Sequence, residues 1–251
     1  MKNKPTKSEA KKILKEANEI IKSYHITHGL ERALNFLSKE LTINENHVRG
    51  IKKWENEKNN YNTQKIQIGG GKHVLEDFLN IDIVPPADLI CDVREGIPLR
   101  DSCSELIFSE HFFEHVDYPK SSKKLVLEFF RILKDGGQVI LGVPDSEMMI
   151  ENYVSRNKKF YKKAIDTWYR KRNCLEHFNT YIDLVNYHFR DQDDDKKYNP
   201  HYWSYDFEKL ESLFKNAGFN RVEKWDFDSS IANPKRYWGS IYIIATKTIN
   251  K

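Results

Sequence analysis

From Lys65 onward the chain breaks into short apolar runs, each closed by turn residues, and this rhythm restricts the fold more than any other feature. Strands are expected at 65–68, 78–83, 89–92, 106–109 and 138–143, with a helix over 121–133 that stops at Asp135-Gly136-Gly137. A helix over 206–217 ended by Gly218, a strand near 221–227 and a last strand over 240–247 follow. Such alternation implies a mostly parallel sheet with crossovers. Between Pro144 and Tyr202 lies a polar, aromatic-rich stretch with a helix over 158–172 and an acidic run, 191–195. It is too long for a simple connection and is expected to form a lid, about 146–203.

The first 62 residues read differently. They carry thirteen Lys and Arg against eight Glu, and Ile13, Ala17, Ile20, Ile21 and Tyr24 recur at helical spacing. Helices are expected there, at 30–41 and at 42–54, with an Asn-rich link over 55–63. The division is therefore a helical appendage, 1–62, and a main domain, 63–251. The appendage suits a cap over a ligand cleft better than a helix-turn-helix on nucleic acid, while a solvated surface packed on the core is an equal alternative.

With 39% hydrophobic and 31% charged residues, the chain has the composition of a folded, soluble protein. Its longest apolar runs fall well short of the roughly 20 residues that cross a bilayer, and no secretory signal follows the basic N-terminus. A cytoplasmic location is expected. Cys91, Cys103 and Cys174 are an odd number without CxxC spacing and suggest neither disulfides nor a thiolate zinc site. The net charge of +4 decides little.

Chemistry concentrates at the expected strand ends. The first strand runs into Gly69-Gly70-Gly71, which lets backbone approach a nucleotide-like ligand. Asp82, followed by Ile83, ends the second and suits two ribose hydroxyls. Asp92, followed by Val93, ends the third; its carboxylate can accept from an adenine amino group while the apolar neighbour packs on the ring. The dinucleotide fingerprint wants a third glycine where Val74 stands and an acid about twenty residues on, whereas Asp82 follows Gly69 by thirteen. Adenosine is favoured over a dinucleotide.

These residues, with Ile97-Pro98-Leu99, Glu105 to Ser109, Glu114-His115, Leu133 to Gly137, Val143-Pro144-Asp145, Tyr202 to Asp206 and Ala217-Gly218-Phe219, make the chain resemble the Rossmann-like (class I) S-adenosylmethionine-dependent methyltransferase superfamily. The resemblance runs over 65–248 and is nearest to a bacterial small-molecule and glycan-pathway branch with a short first crossover and a Ser-x-x-x-x-Glu-His arrangement. It implies a seven-stranded, mostly parallel sheet with an antiparallel last strand. It also implies S-adenosylmethionine as cofactor, S-adenosylhomocysteine as product, and cofactor contacts from Gly69, Gly70, Gly71, Asp82, Ile83, Asp92, Val93 and Ser109. The glycine loop departs from the usual Gly-x-Gly with a different small middle residue, and Glu105 replaces an Asp.

After the fourth strand, His111 is the first candidate for a base that takes the acceptor's proton, and His201, in the cluster 199–205, is the second. For each, a purely structural role weighs about equally, and for His115 it weighs more. Arg170, Arg172, Arg190 and Arg236 are candidates for an anionic acceptor. Methyl transfer from a sulfonium needs alignment more than a metal, and no metal site is expected. The resembled branch points to a small polar acceptor: a sugar, sugar nucleotide or phosphorylated precursor of a surface polysaccharide. The alternatives are a nucleic-acid or protein methyltransferase guided by the basic helices, although nucleic acid is disfavoured, and an inactive cofactor-binding protein.

Overall fold

The computed structural model describes residues 7–23, 27–170, 176, 178–190 and 200–248. Tyr24, Arg172, Cys174, Asn199 and the acidic run 191–195 lie outside the described residues.

Seven strands form one sheet: β1 (Lys65–Ile68), β2 (Leu79–Asp82), β3 (Leu89–Ile90), β4 (Ser104–Glu110), β5 (Leu133–Pro144), β6 (Arg221–Lys224) and β7 (Ser240–Thr246). Their spatial order is β3-β2-β1-β4-β5-β7-β6. β1 to β5 pair in parallel, while β7 runs antiparallel between β5 and β6. This is the seven-stranded, mostly parallel sheet with an antiparallel last strand expected from the sequence. The order reverses at β1 and β4, where a parallel sheet opens a crevice beyond its carboxyl ends.

Alternation along the strands sorts side chains into two cores. Val139, Leu141 and Val143 of β5 join Ile66, Ile68 and Ile107 on one face, covered by α3 (Lys120–Ile132) through Leu125 and Phe129 and by α7 (Phe207–Asn216) through Leu210 and Phe214. Ile140 points the other way with Phe108 and Tyr242, covered by Leu75, Phe78, Trp225 and Phe227 from non-helical chain. Aspartate 206 caps α7 by accepting from the Lys209 N–H.

The N-terminal part corrects the expectation of separate helices over 30–41 and 42–54. After α1 (Lys7–Ser23), one helix, α2, spans His28–Glu57. Thr42 costs too little propensity to break a helix held at its far end by packing. Trp54 is 3% exposed within the main core and donates its indole N–H to the Pro98 carbonyl at 3.1 Å. α2 therefore covers the β3 edge of the sheet.

The crossovers also differ from expectation, because residues 69–103 contain no helix. Residues 83–88 alone return the chain from β2 to β3; six residues reach roughly 20 Å, enough because β3 has two residues. Between β3 and β4, side chains replace a crossover helix. Glu128 of α3 accepts from Ile97 N–H at 3.0 Å and from both sides of the Arg131 fork, and Arg131 donates on to the Ile97 and Leu99 carbonyls. The Arg131 hydrogen bond, partly opposed by burial and helped by the Ile97 N–H, lowers the Glu128 pKa below the ordinary 4.5. A lowered carboxylate pKa adds stability above 4.5 that disappears as pH falls through the folded value. Glu128→Gln is thus expected to flatten the acid limb of a pH–stability curve measured by urea unfolding; an unchanged limb would count against this strap.

The expected turn at Asp135-Gly136-Gly137 is instead a bulge inside β5, since the register jumps from Ser104↔Leu133 to Leu106↔Gln138. The stretch after Pro144 holds α4 (Ser146–Val154), α5 (Lys158–Ala164), which runs into a π-helical turn at Ile165–Tyr169, and α6 (Tyr181–Arg190). Met149, Phe160, Tyr161, Tyr169 and Leu184 form its own small core. Among the described residues, no helix is long and apolar enough to cross a membrane.

Candidate functional site

The carboxyl ends of β1, β2 and β4 meet at the three glycines. Gly69 and Gly71 adopt left-handed φ of 72° and 59°, which a side chain would resist. Their surroundings differ. A Cβ on Gly69 would lie 2.1 Å from the Phe112 ring, and one on Gly70 2.7 Å from the Gln67 amide. The first two glycines thus admit the protein's own side chains. Around Gly71 nothing lies within 4 Å of that position, so this is where the loop leaves space for a ligand.

Asp82 stands beside that space. Its Oδ2 accepts from Gly71 N–H at 2.9 Å and its Oδ1 from Ile83 N–H at 2.6 Å. Oδ1 also accepts from Val84 N–H at 3.3 Å, so it is Oδ2 that keeps a further acceptor position for a hydroxyl donor. Ile83 is partly exposed next to it.

Asp92 is held more firmly. Arg94 donates from Nε and a terminal nitrogen to both oxygens at 2.8–3.0 Å, and reaches Glu40 of α2 at 2.8 Å. The Asp92 hydrogen bond raises the Arg94 pKa further, so the guanidinium stays charged. Asp92 N–H donates to His47 Nδ1 at 3.1 Å. Glu40, His47, Asp92, Arg94, Lys120 and Lys124 border a polar cleft of about 740 Å³. Val93 faces inward, 4% exposed in the main core, and Ser109 is fully buried. The Ser109 hydroxyl has no hydrogen-bond partner among the described residues.

Beyond β4 the chain turns sharply at His111, whose φ of 52° is costly outside glycine and marks a position held by its surroundings. Its N–H donates to the Gly142 carbonyl at 2.8 Å. Ser240 gives its hydroxyl proton to the Arg236 carbonyl, so its oxygen accepts from His111 Nε2 at 2.6 Å. That assigns the proton to Nε2 and leaves Nδ1 as an acceptor, 3.6 Å from Glu114 Oε1. Burial, reinforced by Arg236 and the neighbouring histidines, holds the His111 pKa well below 6.5, and the ring is neutral at neutral pH.

His201, distant in sequence, arrives at the same carboxylate. Its Nδ1 faces the His188 carbonyl at 2.8 Å and must donate, leaving Nε2 3.9 Å from Glu114 Oε1. His115 repeats the arrangement, with Nδ1 toward the Pro200 carbonyl at 3.4 Å and Nε2 4.0 Å from the same oxygen. Glu114 itself is 2% exposed, and its carbonyl accepts from Tyr202 N–H at 2.8 Å, which ties the 200–203 segment to this turn.

The fold thus brings His111 and His201 together and places them around a residue that the sequence reading did not single out for chemistry. The available signal was the spacing of His111 and His115, four residues apart with Glu114 between them. His47 was missed because only packing of α2 on β3 carries it to Asp92. Of the described arginines proposed for an anion, Arg170 pairs with Asp166 and Arg236 with Glu110, while Arg190 is exposed on α6.

Residues 72–141 match a family model described as a methyltransferase domain. No curated protein matches the chain. Similar solved structures include a SAM-dependent methyltransferase from Methanosarcina mazei, at 14% identity over 74% of this chain and 93% of that one, with a TM-score of 0.47. Another is a SAM-dependent methyltransferase from Thermotoga maritima described as a possible histamine N-methyltransferase (16%, 89% and 100%, TM-score 0.41). A third, phosphoethanolamine N-methyltransferase 2 from Haemonchus contortus, is similar at 12% identity over 74% of this chain and 49% of that one, with a TM-score of 0.40.

Proposed function

We propose that this chain, whose residues 72–141 match a methyltransferase domain, is an S-adenosylmethionine-dependent methyltransferase that O-methylates a small polar acceptor. The observation that carries the reading is the open space at Gly71 beside the Asp82 carboxylate, on the same sheet edge as a cluster of imidazoles. Asp82 would hold the ribose hydroxyls, with Ile83 beside it. Asp92 and Val93 are proposed for the adenine end, where Arg94 competes for the carboxylate. Ser109, Gly69 and Gly70 shape the floor between them.

S-adenosylmethionine supplies an electrophilic methyl group on sulfur when bound. What remains for the protein is to orient an acceptor oxygen, exclude water and accept a proton. His111 Nδ1 and His201 Nε2 are the nitrogens suited to that last step, since their partners fix the opposite nitrogen as the donor. The partly buried histidines favour a hydroxylated acceptor, and the branch that the motifs resemble favours a sugar, sugar nucleotide or phosphorylated glycan precursor.

Titration calorimetry of the full chain tests the cofactor. S-adenosylmethionine and S-adenosylhomocysteine are expected to bind at micromolar strength and NAD not to bind. Binding of NAD with neither sulfur ligand would overturn the reading. A panel of hydroxylated and phosphorylated sugars then tests the acceptor class, with methylated product detected by mass spectrometry.

A further inference from the structure

The Glu114 carboxylate, 2% exposed, is the point at which three imidazoles meet, an arrangement that methyl transfer by itself does not require. The three imidazoles directed at it are arranged as acceptors, not donors. His111 spends its Nε2 proton on Ser240, and His201 and His115 direct Nδ1 at backbone carbonyls. Three nitrogen lone pairs and one carboxylate oxygen therefore converge.

We propose that Glu114, His115 and His201, completed by His111, form a binding site for a divalent first-row transition-metal ion. Ligand atoms of the first three lie within 4.8 Å of one another. Their separations from Glu114 Oε1, 3.6 Å for His111, 4.0 Å for His115 and 3.9 Å for His201, can be compared with a tetrahedral ion. Bonds of about 2.1 Å place tetrahedral ligands roughly 3.4 Å apart, so the contacts to Glu114 shorten by about 0.2–0.6 Å and the ligand atoms of the first three, within 4.8 Å of one another, by up to about 1.4 Å on binding. Imidazole and carboxylate donors without thiolate select zinc(II), iron(II), cobalt(II) or manganese(II) over copper(I) and over hard, all-oxygen calcium.

The second layer supports the assignment. Metal-binding histidines characteristically donate their other N–H to a carbonyl or similar acceptor, which fixes ring and tautomer before the ion arrives. Here all three rings are so oriented, two by backbone carbonyls and one by a serine hydroxyl that is itself fixed. The Glu114 carbonyl bonded to Tyr202 N–H holds the two contributing segments in register. The imidazoles keep side-chain exposures of 23%, 18% and 10%, leaving one side of the cluster reachable from solvent.

The ion's catalytic role, unlike its binding, rests on the methyl-transfer reading. Bound there, it would make an acceptor hydroxyl taken up as a fifth ligand more acidic, and the histidines would serve as ligands rather than as the base.

The test uses the full chain after dialysis against a chelator. Titration with zinc(II) or manganese(II) alone is expected to show one ion per chain and a raised Tm. Cobalt(II) is expected to show visible d–d bands without thiolate charge transfer. Glu114→Gln and His201→Ala should weaken binding by about 10–100-fold or more, while the exposed His28→Ala should leave it unchanged. Absence of binding by the wild-type chain for all three ions would overturn the proposal whatever the variants' folding, as would binding insensitive to both substitutions. S-adenosylhomocysteine titrated in parallel separates the two readings. Metal binding without the nucleoside leaves this site standing and removes the methyltransferase reading; the reverse removes the site alone.

Discussion

Gly50→Ala is expected to destabilise the protein by about 2–3 kcal/mol, although alanine in a helix ordinarily gains roughly 0.5–1 kcal/mol over glycine. Gly50 is buried in α2, and a Cβ there would stand 1.8 Å from the Ile90 carbonyl oxygen and 2.9 Å from the Ile90 Cβ. Neither neighbour can yield cheaply, because one is backbone of β3 and the other leads into the core. The helix must therefore move away from the sheet edge. Movement also withdraws Glu40 and His47 from Arg94 and Asp92, so ligand affinity should fall together with stability. Gly29→Ala is the control: it lies in the first turn of the same helix with nothing within 4 Å, and its effect should be neutral or slightly stabilising. Urea unfolding of both variants measures the contrast, and equal stabilities would show that α2 does not press on β3 in this way.

Asp82→Ala is expected to weaken S-adenosylhomocysteine binding about 100-fold, or roughly 2.8 kcal/mol. Two contributions combine. The carboxylate that would accept from the ribose disappears, and the Gly71, Ile83 and Val84 N–H groups lose the acceptor that shapes the loop around the ligand. Stability should fall as well, by about 1–3 kcal/mol, for these part-buried donors. Asp82→Asn helps to separate the contributions, since its carbonyl can accept from Ile83 and Val84 N–H while its NH2 turns a donor toward Gly71 N–H. That variant should lose less stability than alanine and still bind at least about tenfold more weakly, one oxygen now being a donor. Calorimetry on both variants decides: if alanine binds like wild type, Asp82 serves only the loop and the ribose assignment fails.

Much of the sheet was legible because local signals and tertiary demands agreed. The runs 65–68 and 240–247 became β1 and β7 almost without change, their apolar residues filling strands shared by two cores. The helices over 121–133 and 206–217 were equally clear, since each carries one apolar face and α7 has an aspartate cap. Expectations failed where helix propensity had no strong local stop. Thr42 did not break α2, and the short-range marks of α4 and α6, the Asp145 cap and Asp183 accepting from Thr180 N–H, were not read as helix starts. Asp135-Gly136-Gly137 carried the residues of a turn, but neighbours on both sides of β5 drew it into the strand as a bulge.

The candidate site divides along the same line. Order along the chain determined the glycines and the strand-end acids, because a parallel sheet delivers every strand's carboxyl end to one edge. It could not reveal that Phe112 fills the approach to Gly69, that Arg94 already holds Asp92, or that Glu114 is the point on which three histidines converge. Sequence alone determined the sheet and the edge at which its strand ends gather, through periodicity and turn chemistry that act over a few residues. Only the tertiary structure decided which side chains meet there, because the contacts joining His47 to Asp92 and His201 to Glu114 depend on packing between segments far apart in the chain.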